Sequence, residues 1–142
     1  MSAVRRWNPT EIAPPIGKYS HLAQAPAGHR LVFVSGQVGN LADGALAGPG
    51  AVEQTRQVFA NLEALLTHLG VTPAEVVKLL TFVAGTEHLA GFAAARDEVF
   101  ARWYPDGRWP GHSLAVVAAL AAPDLAVEME AIVAVPESDE RK

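Results

Sequence analysis

Two helical stripes set between β-branched apolar runs predict an α+β domain. The expected architecture is an α/β sandwich in which a five- or six-stranded mixed sheet carries both helices on one face. From Ala51 to Leu69 the positions Thr55, Val58, Phe59, Leu62, Leu65, Leu66 and Leu69 return at the 3–4 spacing of one helix face. Leu89, Phe92, Ala93, Arg96, Val99, Phe100 and Trp103 repeat that spacing and mark a second helix. The apolar runs outside these stretches have the length and the β-branched content of strands. At 142 residues, half of them hydrophobic, the chain can bury one core and reads as a single domain over residues 1–142.

Taken in order, Pro14-Pro15-Ile16-Gly17 is an irregular approach to a short strand within Tyr19 to Ala25. Leu31-Val32-Phe33-Val34 is a continuous apolar run, the pattern of a strand buried on both faces. Asp43 to Gly50 is rich in glycine and proline and reads as one long loop before the first helix. Gly70 is placed to end that helix. Thr72-Pro73-Ala74-Glu75 has the spacing of a capping box with proline at the first helical position, so one helical turn is expected before a strand over Val76 to Val83. The second helix ends before the turn Tyr104-Pro105-Asp106-Gly107, and two strands follow at about Ser113 to Leu120 and Ala126 to Val135.

The last strand sets an oligomer problem. Val127, Met129, Ala131, Val133 and Val135 share one side; Ile132 and Ala134 continue the other after Glu128 and Glu130. Two helices cover only one face of such a sheet, so a symmetric partner is the simplest cover for the second.

Composition removes several functions. The net charge is −4 and no basic run exceeds Arg5-Arg6, so nucleic acid is not an expected partner. There are no cysteines, which excludes disulfides, thiolate metal sites and thiol catalysis and suits a reducing, cytoplasmic setting. Met1 to Thr10 is polar, with no apolar core of a secretory signal, and Ser113 to Ala122 is too short to span a bilayer. The tail from residue 137 to 142 is polar and expected to fray. His21, His29, His68, His88 and His112 show no metal-ligand spacing, and no phosphate-binding or serine-nucleophile motif is present, so no metal and no cofactor is expected.

The remaining candidates are few. Glu128 and Glu130 lie two apart on one strand face, roughly 7 Å from each other. They read either as a solvated acidic pair or as carboxylates that hold a water and shuttle its protons. Ser35-Gly36-Gln37 ends an apolar strand, where glycine permits close approach of a ligand or simply lets the strand exit. Tyr19 is a core aromatic or a pocket wall. His112 follows Pro110-Gly111 at a strand start and reads as a structural histidine or as a catalytic one.

Taken together, Ile16-Gly17-x-Tyr19-Ser20, Val34-Ser35-Gly36-Gln37-Val38, Gln54-x-x-Gln57 through Asn61-Leu62, Glu75-Val76-Val77-Lys78 to Phe82-Val83, Pro110-x-x-Ser113 and Val127-Glu128-Met129-Glu130-Ala131 resemble, in order, the Rid family, also called YjgF/YER057c-type or L-PSP proteins. The resemblance implies a chorismate-mutase-like fold and a homotrimer whose sheets form an inner barrel with pockets between subunits. It implies hydrolysis of reactive imine and enamine metabolites to a keto acid and ammonia. Glu128 would position the attacking water, Tyr19 would line the pocket, and the Ser35-Gly36 segment would present backbone to a small-molecule ligand, with Ser113 beside it.

One position departs from the deaminase branch, which carries Pro-Ala-Arg-Ser where this chain has Pro110-Gly111-His112-Ser113. That arginine grips the substrate carboxylate. Arginine is a fixed charge with a planar fork of donors, whereas histidine is mostly neutral at pH 7. Losing a charge-assisted pair costs about 1.5–3 kcal/mol. Arg96, Arg102 and Arg108 are candidates to restore the charge. The reading favoured by sequence is the other one: His112 serves a different, neutral ligand or acts as an acid or base beside Glu128. The competing classes are an imine hydrolase of altered scope, a trimeric metabolite binder without turnover, and, by an older family label, a ribonuclease.

Overall fold

The computed structural model describes residues 3–138. Part of the tail expected to fray, residues 139–142, lies outside the described residues. The elements are β1 (Arg5–Trp7), β2 (Leu22–Gln24), β3 (His29–Gln37), α1 (Ala51–His68), β4 (Val76–Ala84), α2 (Leu89–Trp103), β5 (Gly111–Val117) and β6 (Val127–Pro136), with single 3₁₀ turns at Pro73–Glu75 and Thr86–His88. The six strands split into a mixed four-stranded sheet, in the order β3-β6-β4-β5, and a separate β1-β2 ribbon. β6 pairs antiparallel with both β3 and β4, whereas β4 and β5 run parallel. A parallel pair needs a crossover, and α2 supplies it. β1 was not foreseen: Arg5-Arg6-Trp7 carries no apolar alternation, and the strand exists through pairing with Leu22–Gln24.

Local chemistry explains the boundaries. Gly70 takes φ +72° and closes α1, a conformation L side chains rarely adopt. The capping box forms as written: the Thr72 hydroxyl accepts from Ala74 N while the Thr72 N–H donates to Glu75 Oε2 at 3.0 Å.

Both helices lie on one face of the sheet. Val58, Phe59, Leu62 and Leu66 of α1 and Phe92, Val99 and Phe100 of α2 pack against Leu79, Val83, Val127, Met129 and Val133. Phe59 meets Phe100 and Trp103 edge-on, with centroids 5.9 and 5.3 Å apart. Burying a side chain as fully as Phe59 or Phe100 contributes about 1.5–3 kcal/mol. Gln54, fully buried, donates to the carbonyls of Gly48 and Asp124 and accepts from Ala126 N, which ties the long loop, α1 and the start of β6 together.

The other face is open in the single chain. Leu31 and Phe33 pair with Ala134 and Ile132 and point away from the helices; Phe33 is 70% exposed. The expectation that Leu31–Val34 is buried on both faces therefore fails for one chain alone. Val34 is buried under the helices, but among the described residues no layer covers Leu31 and Phe33.

Candidate functional site

β5 is an edge strand, and a cavity of about 490 Å³ sits along it, lined by Ile16, Tyr19, Arg96, His112 and Ser113 among others. A second cavity of about 310 Å³, beside Lys78 and Ala23, shares Tyr19, His112 and Ser113 with the first. Two hydrogen bonds from Ser20 fix this wall. Ser20 N donates to Pro110 O at 3.1 Å and Ser20 Oγ to Trp109 O at 2.6 Å, so the segment carrying Tyr19 is stitched to the start of β5. Tyr19 packs edge-on against His21, whose Nε2 bonds the Ala13 carbonyl.

His112 points inward. Its level partner on β4 is Leu79, which is fully buried, so the imidazole lies on the helix side of the sheet. It stands 6.2 Å from the Phe100 ring and 6.4 Å from Phe92, centroid to centroid, and its Nε2 shares a 2.8 Å hydrogen bond with the hydroxyl of buried Thr81. Burial, helped by the positive charges of Arg96 and Lys78, pushes the His112 pKa down to about 4. The ring is neutral at pH 7 and has no acidic proton to give there.

Glu128 lies elsewhere. On the ladders its level is Phe82, whereas the level of His112 is Leu79 and Ala131. The two residues are two strands and three residues apart, roughly 10 Å across the sheet and 10 Å along it, on opposite faces. The expected proximity of His112 and Glu128 is therefore not met within one chain. Alternation along β6 decides it: odd positions from Val127 to Val133 face the helices, and Glu128 does not.

Glu128 does meet the other predicted segment. The β3–β6 register slips between Val34 and Gln37, and Ser35-Gly36 forms the irregularity. A Cβ placed on Gly36 would overlap the Glu128 carboxylate, so glycine is what lets that carboxylate lie against β3. Gln37 Nε2 donates back to Ser35 O at 3.0 Å, and Ser35 lines a shallow apolar groove with Leu65 and His68 of α1. The candidates thus form two sets at opposite sheet edges: Tyr19, His112 and Ser113 by β5, and Ser35, Gly36 and Glu128 by β3 and β6.

Of the three arginines, only Arg96 reaches the cavity. Arg102 is held by Glu63 at 2.7 Å, and Arg108 lies beside Asp106 in the turn after α2. Two residues at this wall escaped the sequence reading of the site. Lys18 lines the cavity, and Thr81 anchors His112. Thr81 left a signal, as a hydroxyl at the parity of buried Leu79 and Val83.

The sequence profile described as Endoribonuclease L-PSP matches residues 10–135. The chain belongs to this family, the Rid family. A RutC family protein of Pyrococcus abyssi is 33% identical over 125 residues, which are 87% of this chain and 91% of the relative. The 2-iminobutanoate/2-iminopropanoate deaminase of Capra hircus is 35% identical over 133 residues, covering 92% and 90%. Among solved structures, a Rid-family protein of unknown function from Yersinia pestis superposes with a TM-score of 0.81 at 34% identity, over 94% of this chain and all of that one. The Rid fold is chorismate-mutase-like, and two helices over one face of a mixed sheet are its layers here. Among the described residues no helix is long and apolar enough to cross a membrane.

Proposed function

We propose that this chain hydrolyses imines or enamines, acting as a homotrimer in which each pocket is shared by two copies. The observation that carries the reading is the division of the candidate residues between opposite edges of one sheet. The cavity along β5 is lined by Tyr19, His112 and Ser113 but not by Glu128, and the Ser35-Gly36-Glu128 corner lies at the opposite edge. A second copy that brings its Ser35-Gly36-Glu128 corner to the β5 edge completes the site. Exposed apolar residues mark where the copy docks: Phe33 at 70% and Ile16 at 97%.

The chemistry follows from the groups. The Glu128 carboxylate accepts a proton as water adds to the imine carbon, and the C=N electron pair moves to nitrogen, which is protonated. Collapse of the resulting carbinolamine expels ammonia and leaves the carbonyl, so one water is consumed per C=N bond. His112, uncharged, contributes a polar wall in place of the deaminase branch's arginine, and Tyr19 and Ser113 complete that wall.

The test generates 2-imino acids in situ with an amino-acid oxidase and follows their loss. Wild type is expected to accelerate the loss, and Glu128→Gln to remove about 10²- to 10⁴-fold of that rate. Acceleration by His112→Arg alone would mean that Glu128 and the scaffold are competent but the natural substrate differs. No acceleration by either overturns hydrolysis and leaves a metabolite-binding trimer.

A further inference from the structure

His112 supplies no charge to the cavity, yet the cavity is not neutral. Arg96 and Lys18 both line it. The Arg96 side chain is only 18% exposed, in keeping with its place in the apolar stripe of α2, and it stacks at 5.6 Å over the Phe92 ring that also flanks His112. Burying a guanidinium this far is costly without a good partner.

Its partner here is a poor one. Arg96 Nε and Nη2 both donate, at 3.0 Å, to the same oxygen of Asp97, and Lys18 Nζ approaches that oxygen at 3.3 Å. Adjacent residues on a helix do not face each other, so Asp97 cannot offer both oxygens to the fork. A guanidinium binds a carboxylate best through two parallel bonds to two oxygens. Two cations on one aspartate leave one positive charge unmatched at the cavity wall. Asp97 is 43% exposed and has room to swing outward.

We propose that Arg96 is the carboxylate anchor of this pocket, and that Asp97 occupies it until an anionic ligand takes the bidentate position. This rests on the pocket assignment above and deepens it: the charge lost from the strand position of His112 is supplied from α2 by Arg96, with Lys18 as second cation.

The test is binding, so it stands apart from turnover. The full-length protein is titrated calorimetrically with 2-oxobutanoate, the keto acid that hydrolysis of 2-iminobutanoate releases, and with its uncharged amide. Wild type is expected to bind the acid in preference to the amide. Arg96→Gln is expected to weaken acid binding about tenfold to a hundredfold and leave amide binding within about twofold. Asp97→Asn, which frees the fork, is expected to tighten acid binding, and it decides the matter if Arg96→Gln does not fold. Unchanged acid affinity in Arg96→Gln, no preference for the acid in wild type, or no tightening in Asp97→Asn overturns the anchor. Arg96-dependent binding without imine turnover retains the anchor and removes only the hydrolase reading.

Discussion

The two faces of the four-stranded sheet differ in what completes them. The helix-covered face is finished within one chain: Val83, Val127, Val133 and Phe92 are fully buried, and even its polar members, Thr81 and His112, bond to each other. The open face carries exposed Phe33 and Glu130 and part-exposed Glu128 and Ile132, and among the described residues no helix lies over it. The difference teaches that one face is settled by folding, whereas the other is the face that the proposed trimer would cover.

That contrast can be broken with a pair of phenylalanines. Phe92→Ala empties a fully buried position and is expected to cost about 3–5 kcal/mol of the chain's own stability, read by denaturant unfolding. Phe33→Asp touches no packed neighbour beneath the helices. It is expected to leave each chain folded, with unchanged circular dichroism, but to convert the proposed trimer to single chains in sedimentation velocity. A Phe33→Asp protein that stays associated would move the interface off the open face.

Legibility in the sequence divides along the same line. The stripes of α1 and α2, the capping box at Thr72, the close of α1 at Gly70 and the parity of β6 all follow from spacing within a few residues, and each stands where it was expected. What escaped depends on distant chain. β1 exists through its ladder with β2. The inward aim of His112 depends on register with β4, because β5 is apolar at both parities and alternation cannot choose its face. Grouping Ser35-Gly36 with Glu128 required the irregularity between Val34 and Gln37. Arg96 is an intermediate case: its place in the apolar stripe of α2 was visible, but the cavity that explains it was not.

A smaller effect sharpens the helix-covered side. His112 has its pKa lowered from 6.5 to about 4 in the folded chain, so between those values the unfolded chain binds the extra proton. Stability from this group is complete above pH 6.5 and is lost as pH falls through that window, by on the order of 3 kcal/mol. His112→Gln should flatten that part of the stability–pH curve while leaving the carboxylate-driven loss below it. An unchanged slope in the variant would mean that His112 is hydrated when folded.

The smallest effect concerns the partner of that histidine. Thr81→Val keeps the shape of a fully buried side chain and removes the hydroxyl that His112 Nε2 bonds at 2.8 Å. A nitrogen left without a partner in a dry setting costs about 1–3 kcal/mol, whereas Thr81→Ser, which keeps the oxygen, should cost less than half as much. Replacing both partners, Thr81→Val with His112→Phe, leaves nothing unsatisfied between the Phe92 and Phe100 rings. The pair should therefore be less damaging than the sum of its single changes, a non-additivity measurable in a double-mutant cycle. Simple addition would place the two side chains in separate environments and break the polar link that lets the helix-covered face hold a histidine at its edge.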